Sequence, residues 1–192
     1  MTEETVVAPP SANQRKYLLV YLLASVGISS AIYYFPDYTL LELLTARHSA
    51  GLLRLLGLQV QNYAVSGASF LDGFEIVRDC TGVQVLAFFA GLVLPAKGIS
   101  TLKKALMVFT ASTGLYVVNV ARIAVQILMY HSGLLEWTEI HDLFGRLLSG
   151  MAVFAMVMIY AAIVPEFKEF LLGILSSVVS RKTWSLSPTT QQ

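Results

Sequence analysis

Apolar runs long enough to cross a lipid bilayer dominate this chain, and they leave few folds open to it. A hydrocarbon core needs about 20 residues of helix. Four stretches approach or exceed that length: Tyr17 to Phe35, Thr81 to Ala96, Ala105 to Tyr130 and Leu143 to Val164. Only 13% of the 192 residues are charged, against about 25% in soluble domains, and mean hydropathy is +0.67. Lipid offers backbone groups no hydrogen-bond partner, so such runs cross as helices. The expected fold is an all-α integral membrane protein with about four transmembrane helices, amphipathic interfacial helices and a small extracytoplasmic hairpin. A net charge of +1 gives nucleic-acid binding no support.

The four runs differ. Thr81 to Ala96 is short for a span and has to borrow a turn from its flanks, whereas Ala105 to Tyr130 is long enough to tilt or protrude. A fifth run, Leu40 to Leu58, carries Glu42, Arg47, His48 and Arg54. A central charge costs roughly 2.5 to 3.5 kcal/mol on insertion, so this run is expected as an amphipathic helix lying on the membrane. Arg47 and Arg54, seven apart, share one of its faces. Glu166 to Lys182 reads as a second interfacial helix, with an anchoring role. Between Gln59 and Asp79, branched and aromatic residues alternate with Asn62, Gly67 and Gly73, the pattern of a hairpin or a pair of short strands. The chain divides into a disordered cytoplasmic tail over 1–14, a single polytopic membrane domain over 15–182 with its core at 60–163, and a C-terminal tail over 183–192.

Lysine and arginine in short loops set orientation. With the fifth run not crossing, Arg15, Lys16, Lys97, Lys103, Lys104, Lys168, Arg181 and Lys182 share one side. The other side holds Arg47, Arg54 and Arg78 among acids that include Asp72, Glu75, Asp79, Glu136 and Glu139. The basic side is expected to be cytoplasmic, with both termini inside and the Asp79-Cys80 turn outside. Ser29 and Ala31 resemble a signal-peptide cleavage site, but the run stays apolar through Phe35, which suits a retained anchor better.

Three chemically capable residues then fall near one level. Cys80, the only cysteine, stands in Asp79-Cys80-Thr81-Gly82 at the mouth of the second run. A lone cysteine forms no internal disulfide, and the several ligands of a zinc site are missing around it, so neither a metal nor another cofactor is expected. Its two readings are an inert buried thiol and a nucleophile. Arg122 lies inside the third run, where an ionisable residue marks a functional candidate. It shares a helical stripe with Asn119 and Gln126 and sits roughly 25 Å along the helix from Ala105. His141 opens the last run in Glu139-Ile140-His141-Asp142. At a helix N-terminus beside a cation, the thiol pKa is expected to fall. A histidine moves protons near neutral pH, and an arginine stabilises an oxyanion or orients a carbonyl. The set suits acyl transfer through a thioester.

These residues resemble the exosortase/archaeosortase family of membrane cysteine transpeptidases. The resemblance rests on Asp79-Cys80-Thr81-Gly82 before a span, Asn119-Val120-Ala121-Arg122 within a later one, and His141 with Gly145 and Phe154 in the last; it covers about 60–163. It implies that Cys80 is the nucleophile, that Arg122 orients or stabilises the substrate carbonyl, and that His141 is the general acid or base. Asn119, Gln126 and Arg146 are expected to contact substrate. Arg146 is also placed to share the role of His141, because some archaeal relatives use arginine there. The implied partners are exported proteins with a C-terminal sorting signal, made of a short motif, a transmembrane segment and a basic tail, and a membrane lipid as acceptor. The larger bacterial members have about eight spans, so this chain resembles their compact core or the shorter members. Two alternatives stand beside this reading: a membrane cysteine hydrolase without transfer, and a non-enzymatic transport or assembly subunit whose Asn119, Arg122 and Gln126 hold helices together.

Overall fold

The structure, a computed structural model, describes residues 12–133 and 136–184, so the expected tails fall outside it at 1–11 and 185–192. Six α-helices and one small sheet follow in the order α1 (Ala12–Tyr34), α2 (Thr39–Leu55), β1 (Asn62–Val65), β2 (Ala68–Leu71), β3 (Phe74–Ile76), α3 (Val83–Val93), α4 (Thr101–His131), α5 (Gly145–Ile163) and α6 (Pro165–Trp184). Helix α1 starts inside the segment expected as a tail, and α6 runs two residues into the expected C-terminal one.

Among the described residues, three helical stretches are long and apolar enough to cross a membrane: Lys16–Tyr34, Thr101–His131 and Glu139–Ile163. The run at Thr81 to Ala96 folds as α3, an apolar helix of only 11 residues, about 16 Å long. Its flanks supply the rest of its height. At one end Asn119 holds the Cys80 carbonyl, and at the other Lys104 Nζ donates to the Leu94 carbonyl at 2.8 Å. That rise matches the stretch of α4 between Lys104 and Asn119, about 22 Å. Helix α3 packs tightly against α1. A Cβ on Gly91 would lie 2.0 Å from Ser29 Oγ and 2.7 Å from the Ser25 carbonyl, so only glycine permits this approach. Phe89, Phe167 and Met156 bury the inner ends of α3, α6 and α5 in one apolar cluster. Tyr21 ties α1 to it, edge-on to Phe170 and donating to the Leu92 carbonyl.

Helix α2 corrects an expectation. It does not lie flat across the end of the bundle but climbs beside α4 in the same sense. Leu41 lies near Ser112 and Thr113, His48 Nδ1 is 2.6 Å from Tyr116 Oη, and Ser49 Oγ donates to the Val120 carbonyl at 3.3 Å. The physical reason is its second face: Thr45, Ala46, Ser49, Ala50 and Leu53 are small or apolar, and all are buried. Burying a leucine such as Leu53 stabilises by about 1.5–3 kcal/mol, enough to draw the helix into the bundle while Arg47, His48 and Arg54 stay exposed and Glu42 is half-buried.

The sheet exceeds the expected hairpin by one strand. Its order is β1-β2-β3, antiparallel, with Val65 opposite Ala68 and Leu71 opposite Phe74. Both turns place two successive residues at positive φ, Ser66-Gly67 at 53° and 87° and Asp72-Gly73 at 52° and 87°. This is the tight turn whose twist suits a hairpin. Leu71 and Ile76 face inward onto Ala46, Ala50, Leu53, Ile123 and Ile127, and Cys80 belongs to that same core.

Candidate active site

The turn that carries Cys80 is built by local backbone chemistry. Residues Arg78–Thr81 form one 3₁₀ turn, closed by Thr81 Oγ1 donating to the Arg78 carbonyl at 2.6 Å. Gly82 then takes φ 78°, a left-handed conformation that redirects the chain into α3. Asn119 Nδ2 donates to the Cys80 carbonyl at 2.6 Å, and a Cβ on Gly82 would touch the Asn119 side chain at 3.4 Å. The turn is also clamped to the end of α1. Tyr33 Oη donates to Asp79 Oδ1, Arg78 Nη1 donates to the Tyr33 carbonyl at 3.0 Å, and the Arg78 guanidinium lies 5.4 Å from the ring centres of both Tyr33 and Tyr38.

Cys80 Sγ is 3.8 Å from His141 Nε2, within hydrogen-bond reach for sulfur. The imidazole stands on a wide π-helical turn, Glu139–Phe144, that precedes α5. Such turns recur where a helix re-aims a side chain. An aromatic stack reaches it from the sheet: Phe74 lies face to face with Trp137 at 3.8 Å, and Trp137 lies 5.7 Å from the His141 ring. Beneath the turn, Gln126 Nε2 donates to the Ile140 carbonyl at 3.1 Å.

Arg122 completes the group. Its Nη1 donates to Ser149 Oγ at 3.2 Å and the Gly145 carbonyl at 3.4 Å, while Nη2 reaches the Asp79 carbonyl at 3.5 Å. These are long contacts, and Nε is buried without a hydrogen-bond partner among the described residues. The guanidinium therefore keeps donor capacity that the described residues do not use. A cavity of about 610 Å³ opens between α3 and α5. Asp79, Arg122 and His141 line its polar end, and Val85, Phe88 and Val153 line its apolar end.

Cys80 itself is 3% exposed. Burial pushes its thiol pKa up from the usual value; a backbone hydrogen bond at Val77 and the charge of Arg122 oppose the rise. The expected lowering is thus corrected: desolvation outweighs the cation in this state. Among the described residues no cluster of metal-ligating side chains occurs.

The structure brings Cys80, Arg122 and His141 together, and Arg146 lines the cavity with Arg122 and His141, behind which Cys80 is buried. Asn119 and Gln126 behave differently from what was expected. They are 5% and 1% exposed, and their amide nitrogens are committed to the backbone of Cys80 and Ile140. Amides held this way position the chain, and the Gln126 carbonyl oxygen stays buried without a hydrogen-bond partner among the described residues. Sequence reasoning passed over Ser149, although it lies one turn beyond Gly145 on the His141 side of the helix. It also passed over Tyr33, which no local pattern connects to Asp79. His131, at the end of α4, meets Asp72 at the second β-turn with 2.5 Å between Nε2 and Oδ2.

The fold is that of a polytopic all-α membrane protein in which a thiol and an imidazole meet. Residues 6–162 match the transmembrane exosortase (EpsH) family, and the chain belongs to that family. Its members are in general cysteine transpeptidases that act on exported proteins with sorting signals. No curated protein and no solved structure matches the chain.

Proposed function

We propose that this protein cleaves the C-terminal sorting signal of exported proteins through a thioester on Cys80 and transfers the new C-terminus to a membrane lipid. The observation that carries the reading is the 3.8 Å contact between Cys80 Sγ and His141 Nε2 beside a guanidinium with donors to spare. In this mechanism His141 takes the thiol proton as Sγ attacks the scissile carbonyl. The C–O π pair moves onto oxygen, where Arg122 stabilises the negative charge. Collapse of the tetrahedral intermediate breaks the C–N bond, and His141 returns the proton to the leaving amine. The acceptor's nucleophile then repeats the sequence on the thioester and frees the thiol.

The cavity supports this substrate class. Its polar end suits a short peptide motif, and its apolar end, with Phe88 and Gly150 exposed, suits the first turn of an attached transmembrane segment. Arg146, exposed at the rim, is assigned to substrate contact. Asn119 and Gln126 are assigned to positioning. The basic residues at the starts of α1 and α4 support a site on the extracytoplasmic face of the membrane.

The test is processing of a reporter that ends in a motif, an apolar span and a basic tail. Cys80→Ala and Cys80→Ser are both expected to abolish processing while the protein still accumulates in the membrane. Continued processing by the alanine variant overturns the nucleophile assignment. Mass analysis of the new C-terminus separates the chemistry: a lipid-modified end supports transfer, and a free carboxylate means hydrolysis. A membrane-impermeant thiol reagent is expected to label Cys80 slowly in intact cells, since the sulfur is nearly buried; labelling only after permeabilisation reverses the orientation.

A further inference from the structure

The face of α2 turned away from Cys80 makes a second concave surface. Between α2 and α4 runs a groove of about 930 Å³ with a basic wall and an apolar floor. Arg47, His48 and Arg54 come from α2, Tyr116 from α4, and Val117, Val120 and Ala121 form the floor. No acid lines it.

Its height matters. Val117 and Ala121 lie 13 and 17 residues along α4 from Lys104, about 20 and 26 Å, in the half of the bilayer nearer His131. Arg54 stands at the upper end, where its Nε and Nη2 donate to the Val60 carbonyl and its Nη2 to Asn62 Oδ1 beside the sheet. Arg47 lies on the same face about 10 Å lower, is exposed, and has no hydrogen-bond or ion-pair partner among the described residues. An arginine exposed at that depth of a membrane-spanning bundle extends its stem toward the headgroup region, where an anion is a favourable partner.

We propose that this groove binds an anionic phospholipid of the leaflet at the His131 end of α4, with the phosphate between Arg47 and Arg54 and an acyl chain along Val117 and Val120. The charge balance selects the ligand: two fixed positive charges with no acid among them favour a headgroup of net negative charge over a zwitterionic one. The apolar floor, which a free phosphate does not use, fits the attached chain. Ala46, Ala50 and Leu53 separate the groove from Cys80, so this lipid is not the acyl acceptor. It braces α2, the wall behind the nucleophile.

Native mass spectrometry of the purified protein, titrated with phosphatidylglycerol, phosphatidylcholine or inorganic phosphate, tests the site. Wild type is expected to retain phosphatidylglycerol in preference to phosphatidylcholine, and inorganic phosphate is expected not to displace it. Arg47→Gln is expected to weaken phosphatidylglycerol binding about fivefold, the contribution of one basic residue near an anionic surface, and Arg47→Lys to restore most of it. Ala121→Phe, at an exposed position on the floor, is expected to reduce retention by filling the acyl path. Equal retention of the two lipids, displacement by inorganic phosphate, or unchanged binding in both Arg47→Gln and Ala121→Phe would each overturn the proposal.

Discussion

Asn119 offers the sharpest test of how the nucleophile turn is held. Its Nδ2 donates to the Cys80 carbonyl at 2.6 Å, and the side chain is 5% exposed. Asn119→Ala leaves that carbonyl buried without its donor, a loss of about 1–3 kcal/mol. At about 2–4 °C per kcal/mol for a chain of this size, the melting temperature falls by roughly 2 to 12 °C. Asn119→Asp keeps the shape but turns acceptor against acceptor, so it is expected to cost more than alanine. Both variants release the turn that keeps Cys80 at 3% exposure. Alkylation of Cys80 by a small neutral reagent is therefore expected to quicken, while reporter processing slows. Melting in detergent and the alkylation rate are the two assays. If Asn119→Ala melts with wild type and alkylates at the wild-type rate, the hydrogen bond does not hold the turn; an aspartate variant as stable as alanine refutes the polarity argument.

Two further outcomes follow from the site's electrostatics and packing. Because burial holds the Cys80 thiol above its ordinary range, the alkylation rate is expected to keep rising with pH beyond the usual thiol midpoint. Arg122→Gln removes a charge that favours the thiolate and so moves the profile to still higher pH; an unmoved profile would mean that Arg122 does not act on the sulfur. Gly145→Ala puts a Cβ 3.0 Å from Gln126 Nε2 and 3.8 Å from Arg122 Nη1, which pushes the amide off the Ile140 carbonyl and costs about 1–3 kcal/mol. Gly150→Ala, with open space around its Cβ, serves as the control and is expected to be neutral or to stabilise by up to about 1 kcal/mol; equal loss in both would show that helix context, and not the contact, sets the effect.

Much of this architecture is legible in the chain because the membrane imposes a simple rule. A run such as Ala105 to Tyr130 has one option in lipid, and α4 takes it. Cys80, Arg122 and His141 are legible together because helical rise converts residue counts into heights. What escapes is whatever depends on a neighbour. The route of α2 is decided by Ala46, Ala50 and Leu53 meeting Ile123 and Ile127, and no local pattern announces that partner. The rise in the thiol pKa escapes for the same reason: Arg122 is visible in the sequence, but the apolar roof of Leu71 and Ile76 over Cys80 is not. Asn119 and Gln126 share a stripe that is legible in the sequence, but only the approach of two backbone segments reveals the carbonyls their amide nitrogens hold.

Helix α4 has one more consequence, that of a gauge. From Lys104, bonded to the Leu94 carbonyl, to Asn119, bonded to the Cys80 carbonyl, the helix counts off about 15 residues, or about 22 Å. That interval is a length of rigid backbone, insensitive to how the rest of the bundle shifts. A substrate helix whose basic tail rests at the level of Lys104 is measured against the same scale. On the proposed reading, its cleavage point is fixed by counting upward from that tail, and a span lengthened by one helical turn would carry the scissile bond about 5 Å past the sulfur.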